Sequence, residues 1–304
     1  MKIRFATKLT VGVTATVVAT LAVMTGLLLP RVNGILFDLG SNASMAVSRQ
    51  LVAVAASHHD ALTDRVEADA NVLLEELGAL GAARLDADAA TRWTVVHQGT
   101  GEPTSVDLPA LRFGDFVAMR DTAFVDGVRA RSGATVTLFL HHEGRLVRVS
   151  TNVLKEDGRR AVATYIPSDS PVYRTVTRGE PYFGIARVVG GWCQSAYVPI
   201  EDTTGRVIGV AYVGREILTP EFVAAIAEAR VGDSGYGFAY DAAGRWMIHP
   251  RDSVREQTTV QDYPFADDFL AGEDGPVEYE WDDETKYSFV THFEPWGWGF
   301  GFGL

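Results

Sequence analysis

The sequence predicts an α+β fold: an apolar N-terminal transmembrane helix, a long helix beyond it, and two modules built on antiparallel sheets. Three observations carry this. Twenty-one residues from Leu9 to Leu29 contain no charge. No proline falls between Pro30 and Pro103, and apolar residues recur there at helical spacing. From Trp93 onward the pattern changes to short β-branched and aromatic runs separated by turn residues, and that pattern occurs twice.

The 304 residues are 47% apolar and 22% charged, which suits a globular chain of about two domains and excludes disorder or a coiled coil alone. Lysine and arginine total 27 against 39 acidic residues, a net charge of −12. Lys2, Arg4 and Lys8 supply three of the positives, so residues 9–304 carry 24 − 39 = −15. Such a surface repels phosphate backbones, and nucleic acid is not an expected partner. A single cysteine, Cys193, rules out an intramolecular disulfide and a multi-cysteine metal site.

In chain order, Leu9–Leu29 at 1.5 Å per residue spans a bilayer core of ~30 Å. A cleavable signal peptide would have an apolar stretch of ~7 to 15 residues and a small-x-small site after it, so a signal anchor over residues 1–30 is the better reading. Three positive residues before the span and Arg31 after it place the N-terminus in the cytoplasm and the body outside the inner (plasma) membrane. Residues 31–85 read as a long helix ending near Ala83 and open to interruption at Gly40-Ser41-Asn42. Its stripe is Leu51, Ala55, Leu62, Val66, Leu73, Leu77 and Leu80. That stripe suits packing on the chain's own domain, a lever coupled to the span, or an interface with a second copy. Residues 86–215 read as a sheet of about five strands with one helical insert at Pro171–Thr177. Residues 216–304 read as a linker helix at Thr219–Arg230 and a second strand set.

The two sets look like copies. Thr135–Ser150 lies over Gly235–Pro250 at an offset of 100, aligning strand, turn, Gly-Arg and return strand. Gly144 and Gly244 fall where a tight hairpin needs positive φ. Arg178–Tyr182 over Gly272–Pro276, and the last strand pair of each half, repeat in the same order, which argues for tandem modules.

Blocks such as RVSTNVLKEDGRRAVATYIP (Arg148–Pro167), RGEPYFGIARVVGGW (Arg178–Trp192), YVPIEDTTGRVIGVAYVG (Tyr197–Gly214), VGDSGYGFAYDAAGRWMIHP (Val231–Pro250) and WGWGFGFG (Trp296–Gly303) resemble the tandem Cache 3/Cache 2 fusion modules of bacterial methyl-accepting chemotaxis receptors. The resemblance covers roughly residues 30–304. It implies an extracytoplasmic PAS-like sensor: a long helix, a membrane-distal module with a ligand pocket (86–215), and a membrane-proximal module (216–304) that passes the signal on. Receptors of this kind continue into a second membrane helix and a cytoplasmic signalling domain, neither of which is found before Leu304.

No catalytic constellation or cofactor motif is expected. Gly232-Asp-Ser-Gly235 mimics a serine-protease signature, but Ser234 would open a strand of a repeated hairpin and His58 sits in the helical stripe region. The pairs His58-His59 and His141-His142 are adjacent, so their side chains diverge from a helix or a strand and suit no common metal.

The candidate ligand residues lie in the distal half. Tyr165, Tyr182, Trp192 and Tyr197 supply aromatic walls, and Arg148, Arg178 and Arg187 supply directional charge, with Asn152 nearby. Each aromatic also has a plain reading as sheet core, and each arginine as a solvated edge residue. An arginine would favour a carboxylate ligand through paired hydrogen bonds. Amino-acid-binding members of the family carry an R-x-W-[YF] run and an Asp at the end of the last strand. Here Arg178-Gly-Glu-Pro-Tyr-Phe183 is spaced differently and lacks Trp, and Glu216 only approximates the carboxylate, so an amino-acid ligand is not implied. The expected function is non-catalytic sensing of a small molecule by a membrane-anchored homodimer. The alternative is an anchored periplasmic interaction module without its own ligand, acting through a partner receptor or transporter. The sequence beyond Leu304 would discriminate the two.

Overall fold

In the computed structural model, which describes residues 5–189, 191–230, 235–281 and 284–303, helix α1 runs unbroken over Phe5–Leu80. The interruption allowed at Gly40–Asn42 does not occur, and the helix stops three residues before Ala83, where Gly81 turns the chain at φ +122. Between Val17 and Leu39 its large apolar side chains are exposed. The helix contains an 18-residue window of mean hydropathy 1.5, long and apolar enough to cross a membrane. Further along, Leu51, Ala55, Leu62, Val66, Leu73 and Leu77 are all buried, whereas Leu80 is 38% exposed. The stripe is therefore consumed inside the protein. Of the three readings of the stripe, packing on the chain itself is the one found, and Leu51, Leu62 and Leu73 offer no free face to a second copy.

The chain divides into two units, residues 55–223 and residues 1–54 with 224–304. The larger unit holds a nine-stranded sheet. Its strands are β1 (Ala83–His97), β2 (Pro103–Phe113), β3 (Phe116–Val117), β4 (Thr135–His142), β5 (Arg145–Thr151), β6 (Thr164–Pro167), β7 (Tyr182–Val188), β8 (Gly191–Glu201) and β9 (Val207–Glu216), in the order β3-β2-β1-β6-β5-β4-β9-β8-β7. The sheet is wider than the five or so strands expected, because β1 to β3 extend it beyond β6 through one parallel pairing, β1 with β6. A second helix, α2 (Ala123–Ser132), joins the expected one, α3 (Pro171–Val176). α2 buries only Val125 and Val128, one turn of apolar face, too little to register as helical periodicity.

Side chains alternate across the strands, so the sheet has two cores. One face takes Val66, Ala70, Leu73 and Leu77 of α1 against Trp93, Val95, Leu138 and Val213. The other gathers Phe139, Leu146, Val176, Tyr197, Val210 and Tyr212 beneath α3.

The smaller unit follows α4 (Pro220–Ala227). Its strands β10 (Tyr236–Tyr240), β11 (Trp246–Ile248), β12 (Gly275–Trp281), β13 (Glu284–Phe293) and β14 (Trp298–Gly303) form a sheet in the order β11-β10-β14-β13-β12, with α5 (Asp252–Gln257) and α6 (Ala266–Leu270) between β11 and β12. The order β5-β4-β9-β8-β7 in the larger sheet is the same plan, hairpin first and last strand beside it. The repeat read from the sequence is thus a repeat of topology. Gly144 and Gly244 have the expected positive φ, at 74° and 72°.

Strand β14 alternates aromatic and glycine. Trp298, Phe300 and Phe302 are fully buried, while Gly299, Gly301 and Gly303 lie opposite Tyr240, Phe238 and Tyr236 of β10. A Cβ on Gly301 would sit 2.1 Å from the Phe238 ring, and one on Gly299 2.2 Å from the Tyr240 ring. The glycines leave space in which the β10 rings lie flat across the neighbouring strand. Phe238 in turn stacks on Phe269 of α6, with ring centres 5.6 Å apart.

His249, just after β11, is 8% exposed, and burial holds its pKa down at about 4 against an ordinary 6.5, with the charges of Arg251 and Arg255 pushing the same way. The unfolded chain takes up this proton first. Stability contributed by the neutral ring is therefore complete above pH 6.5 and lost as pH falls toward 4, by an amount of the order of 3 kcal/mol. His249→Asn is expected to flatten the fall in unfolding temperature between pH 6.5 and 4. An unchanged slope would assign the acid sensitivity elsewhere.

Candidate ligand-binding site

The face of the larger sheet beneath α3 is organised by register. Phe139 on β4 is opposite Arg148 on β5, and Tyr212 on β9 is opposite Tyr197 on β8, which is itself opposite Tyr182 on β7. Tyr197 lies 4.8 Å from Tyr212, 6.0 Å from Tyr182 and 6.1 Å from Phe139, centre to centre. The result is a continuous aromatic floor. Burial pushes the Tyr197 and Tyr212 phenols well above their ordinary pKa, so both are neutral donors.

Arg148 is set into this floor, 2% exposed, with its guanidinium carbon 5.0 Å above the centre of the Phe139 ring. Its Nη1 donates to Thr164 Oγ1 on β6, and its Nε has no acceptor among the described residues. No described carboxylate forms an ion pair with it. Burial lowers its pKa, which the nearby Tyr197 and Tyr212 oxygens only partly offset. A cavity of about 730 Å³ opens beside it, lined also by His97, Lys155, Asp157, Thr164 and Arg187. Asp157 is already paired with Arg159 at 2.6 Å, and that guanidinium holds its pKa down at about 2. A second cavity in the same unit, about 750 Å³, is lined by Arg65, Arg129, Asn152, Cys193 and Glu216. Val189 borders both. Asn152 is used structurally there: Oδ1 accepts from Val136 N–H, and Nδ2 donates to the Val125 carbonyl.

The seven residues singled out from sequence separate into groups. Arg148 and Arg187 line one cavity, and Tyr182 and Tyr197 form the floor around Arg148. Tyr165 is on the other face: it pairs with Val147, one position from Arg148, and packs in the α1-facing core with the Arg145 guanidinium 5.6 Å from its ring centre. Arg178 is exposed in the turn after α3 and paired with Glu180 at 2.9 Å. Trp192 is half-buried and pairs in register with Arg187. By alternation it shares the face of Gln194, whose amide donates to Thr63 of α1. Phe139, Tyr212 and Thr164 were not anticipated; their signal is positional, each lying opposite a predicted residue or next to one in sequence.

Other motifs resolve plainly. His58 Nε2 lies 2.9 Å from the Ile217 carbonyl, and its ring stacks on Phe222. His141 bridges the Val207 carbonyl and the Tyr173 hydroxyl, each at 3.0 Å. Among the described residues no group of three His, Cys, Asp or Glu is placed to hold a metal. Cys193 is buried, and burial raises its thiol pKa to about 11. Gly232, Asp233 and Ser234 lie outside the described residues.

Two sheets of one strand order in a chain that begins with a long helix are the plan of a tandem PAS-like sensory protein. The chain belongs to the Cache 3/Cache 2 fusion domain family, whose model matches residues 41–303. It is a Cache-type sensory domain preceded by a helix able to cross a membrane. No curated protein sequence matches it. Among solved structures it is similar to the ligand-binding domain of Mlp24 with asparagine, at 18% identity over 60% of this chain and 72% of that one, TM-score 0.42. It is also similar to the ligand-binding domain of the Pseudomonas aeruginosa amino acid chemoreceptor PctC in complex with GABA, at 16% identity over 56% and 73%, TM-score 0.34. The Campylobacter jejuni chemoreceptor Tlp3 domain in complex with L-valine matches at 13% identity over 60% and 70%, TM-score 0.37.

Proposed function

We propose that this chain is the extracytoplasmic sensing region of a bacterial transmembrane chemoreceptor or related receptor, that it binds a small carboxylate in its larger, membrane-distal module, and that it catalyses nothing. The observation that carries this reading is Arg148: a guanidinium buried to 2% exposure beside a cavity, with Nε unsatisfied and no acid paired to it among the described residues. A buried charge without a counter-ion costs several kcal/mol. A ligand carboxylate would supply the missing charge and accept the free N–H in the paired geometry guanidinium favours. Arg187 adds positive charge at the same cavity, where Lys155 is paired with Asp157 at 3.6 Å and Glu156 is a further acid. The positives Lys2, Arg4 and Lys8 support a cytoplasmic N-terminus and an outward body. A homodimer belongs to the proposal, paired through the exposed apolar residues between Val17 and Leu39.

The test is a thermal-shift screen of the full chain in detergent against small mono- and dicarboxylates and their amides. A true ligand at a hundredfold excess over Kd adds ~2.7 kcal/mol of stability. Carboxylates are expected to stabilise where the matching amides do not. Amides as effective as acids, no response to any carboxylate, or chemical turnover of a hit would overturn the reading.

A further inference from the structure

The smaller module contains a cavity of its own, about 130 Å³, walled by the rings of Tyr236, Phe238, Trp246, Phe269 and Tyr279. Cavities of about 150 Å³ hold a benzene molecule, so this one has room for a single flat apolar group. The rings are fixed in place. Phe238 lies in the space left by Gly301, Tyr279 exchanges a hydrogen bond with Ser288 at 3.1 Å, and Trp246 meets Phe238 edge-on at 5.7 Å. The Trp246 indole N–H is buried without an acceptor among the described residues.

A box of aromatic rings by itself suits an organic cation. The charges here argue against one. Among the described residues no Asp or Glu lines the cavity, and the two charged ones that do, Arg251 and Lys286, are both cations. Lys286 is engaged by Glu284, whereas Arg251 is exposed and forms no ion pair with any described carboxylate. A ligand's apolar body would enter among the rings while its charged end met Arg251, and only an anion gains from that arrangement.

We propose that the smaller module is a second binding site, for a small carboxylate with a flat apolar body, held by the ring box of Phe238, Trp246 and Phe269 and by Arg251. This site shares no residue with the one around Arg148, and the proposal stands whether or not that one binds a ligand.

The test is fluorine NMR of 4-fluorobenzoate with the full chain in detergent, in the wild type and in the Arg148→Met variant, which removes the other site's guanidinium. Line broadening is expected in both. Added to either background, Arg251→Gln should weaken binding at least tenfold, and Val254→Trp, at a half-buried wall position, should abolish it. Because Arg251 is exposed, its variant keeps the test decisive if Val254→Trp fails to fold. Loss of binding with Arg148→Met alone, insensitivity to Arg251→Gln, or equal affinity for 4-fluorobenzyl alcohol would each overturn the proposal.

Discussion

Replacing Arg148 by Met is expected to raise the unfolding temperature of the ligand-free chain and to remove its response to small aliphatic carboxylates, which lack the flat apolar body that the second site takes. Two effects of opposite sign meet in this one side chain. The guanidinium is desolvated, with one hydroxyl acceptor, one aromatic face and no counter-ion among the described residues. Exchanging such a charge for an apolar chain of similar length is commonly neutral or stabilising by 1 to 4 kcal/mol, roughly. With ligand bound, the same exchange removes one partner of a buried charge pair, which costs about 2 to 5 kcal/mol, or roughly 30-fold or more in affinity. Differential scanning fluorimetry with and without ligand reads both signs in a single experiment. A variant that melts far below wild type without ligand would make Arg148 a structural strut between Phe139 and Thr164, and the anion site would have to be sought elsewhere. Arg148→Lys should fall between, keeping charge but losing the planar fork.

The second large effect is expected at Gly301. An alanine there puts its Cβ 2.1 Å from the Phe238 ring. That ring is 3% exposed and boxed between Phe269 and Trp246, so it cannot retreat cheaply. Overpacking of this kind costs about 1 to 3 kcal/mol and can exceed that. Gly299→Ala should behave alike through Tyr240, with 2.2 Å available. Gly303→Ala is the internal control, because its Cβ would make ordinary contacts at 3.5 Å. Urea unfolding of the three variants should give two shifted midpoints and one near wild type. Three equal midpoints would show that β14 can slide or its neighbours can yield.

Much of this architecture was written in local patterns. The hairpin at Gly144 and its copy at Gly244 were legible because turn chemistry and period-two alternation are short-range. The stripe from Leu51 to Leu77 was legible as a buried face, but its partner was not, since periodicity reports that a face is covered and is silent on what covers it. β1 was glimpsed only at Trp93–His97 because its first half is largely solvent-facing and its pairing with β2 slips between Asp86 and Thr91. The site shows the same limit. Arg148, Tyr182 and Tyr197 meet because their strands pair in one register, while Tyr165, one position off Arg148's partner Thr164, turns to the opposite face. Composition can nominate aromatic and cationic residues, but the parity of a strand position decides which of them share a face of the sheet.

The position of β14 sets the order in which the smaller module can assemble. It lies between β10 and β13, so the hairpins β10-β11 and β12-β13 share no edge until it is inserted. Its partners on β10 are far away in sequence: Tyr236 pairs with Gly303. During synthesis the two hairpins must therefore wait, each with an open edge, until residue 303 has left the ribosome. Such long-range closure is slow, because the loop entropy is spent before the contacts form. Until then the exposed edges of β10 and β13 are the places where a nascent chain would pair with the wrong strand.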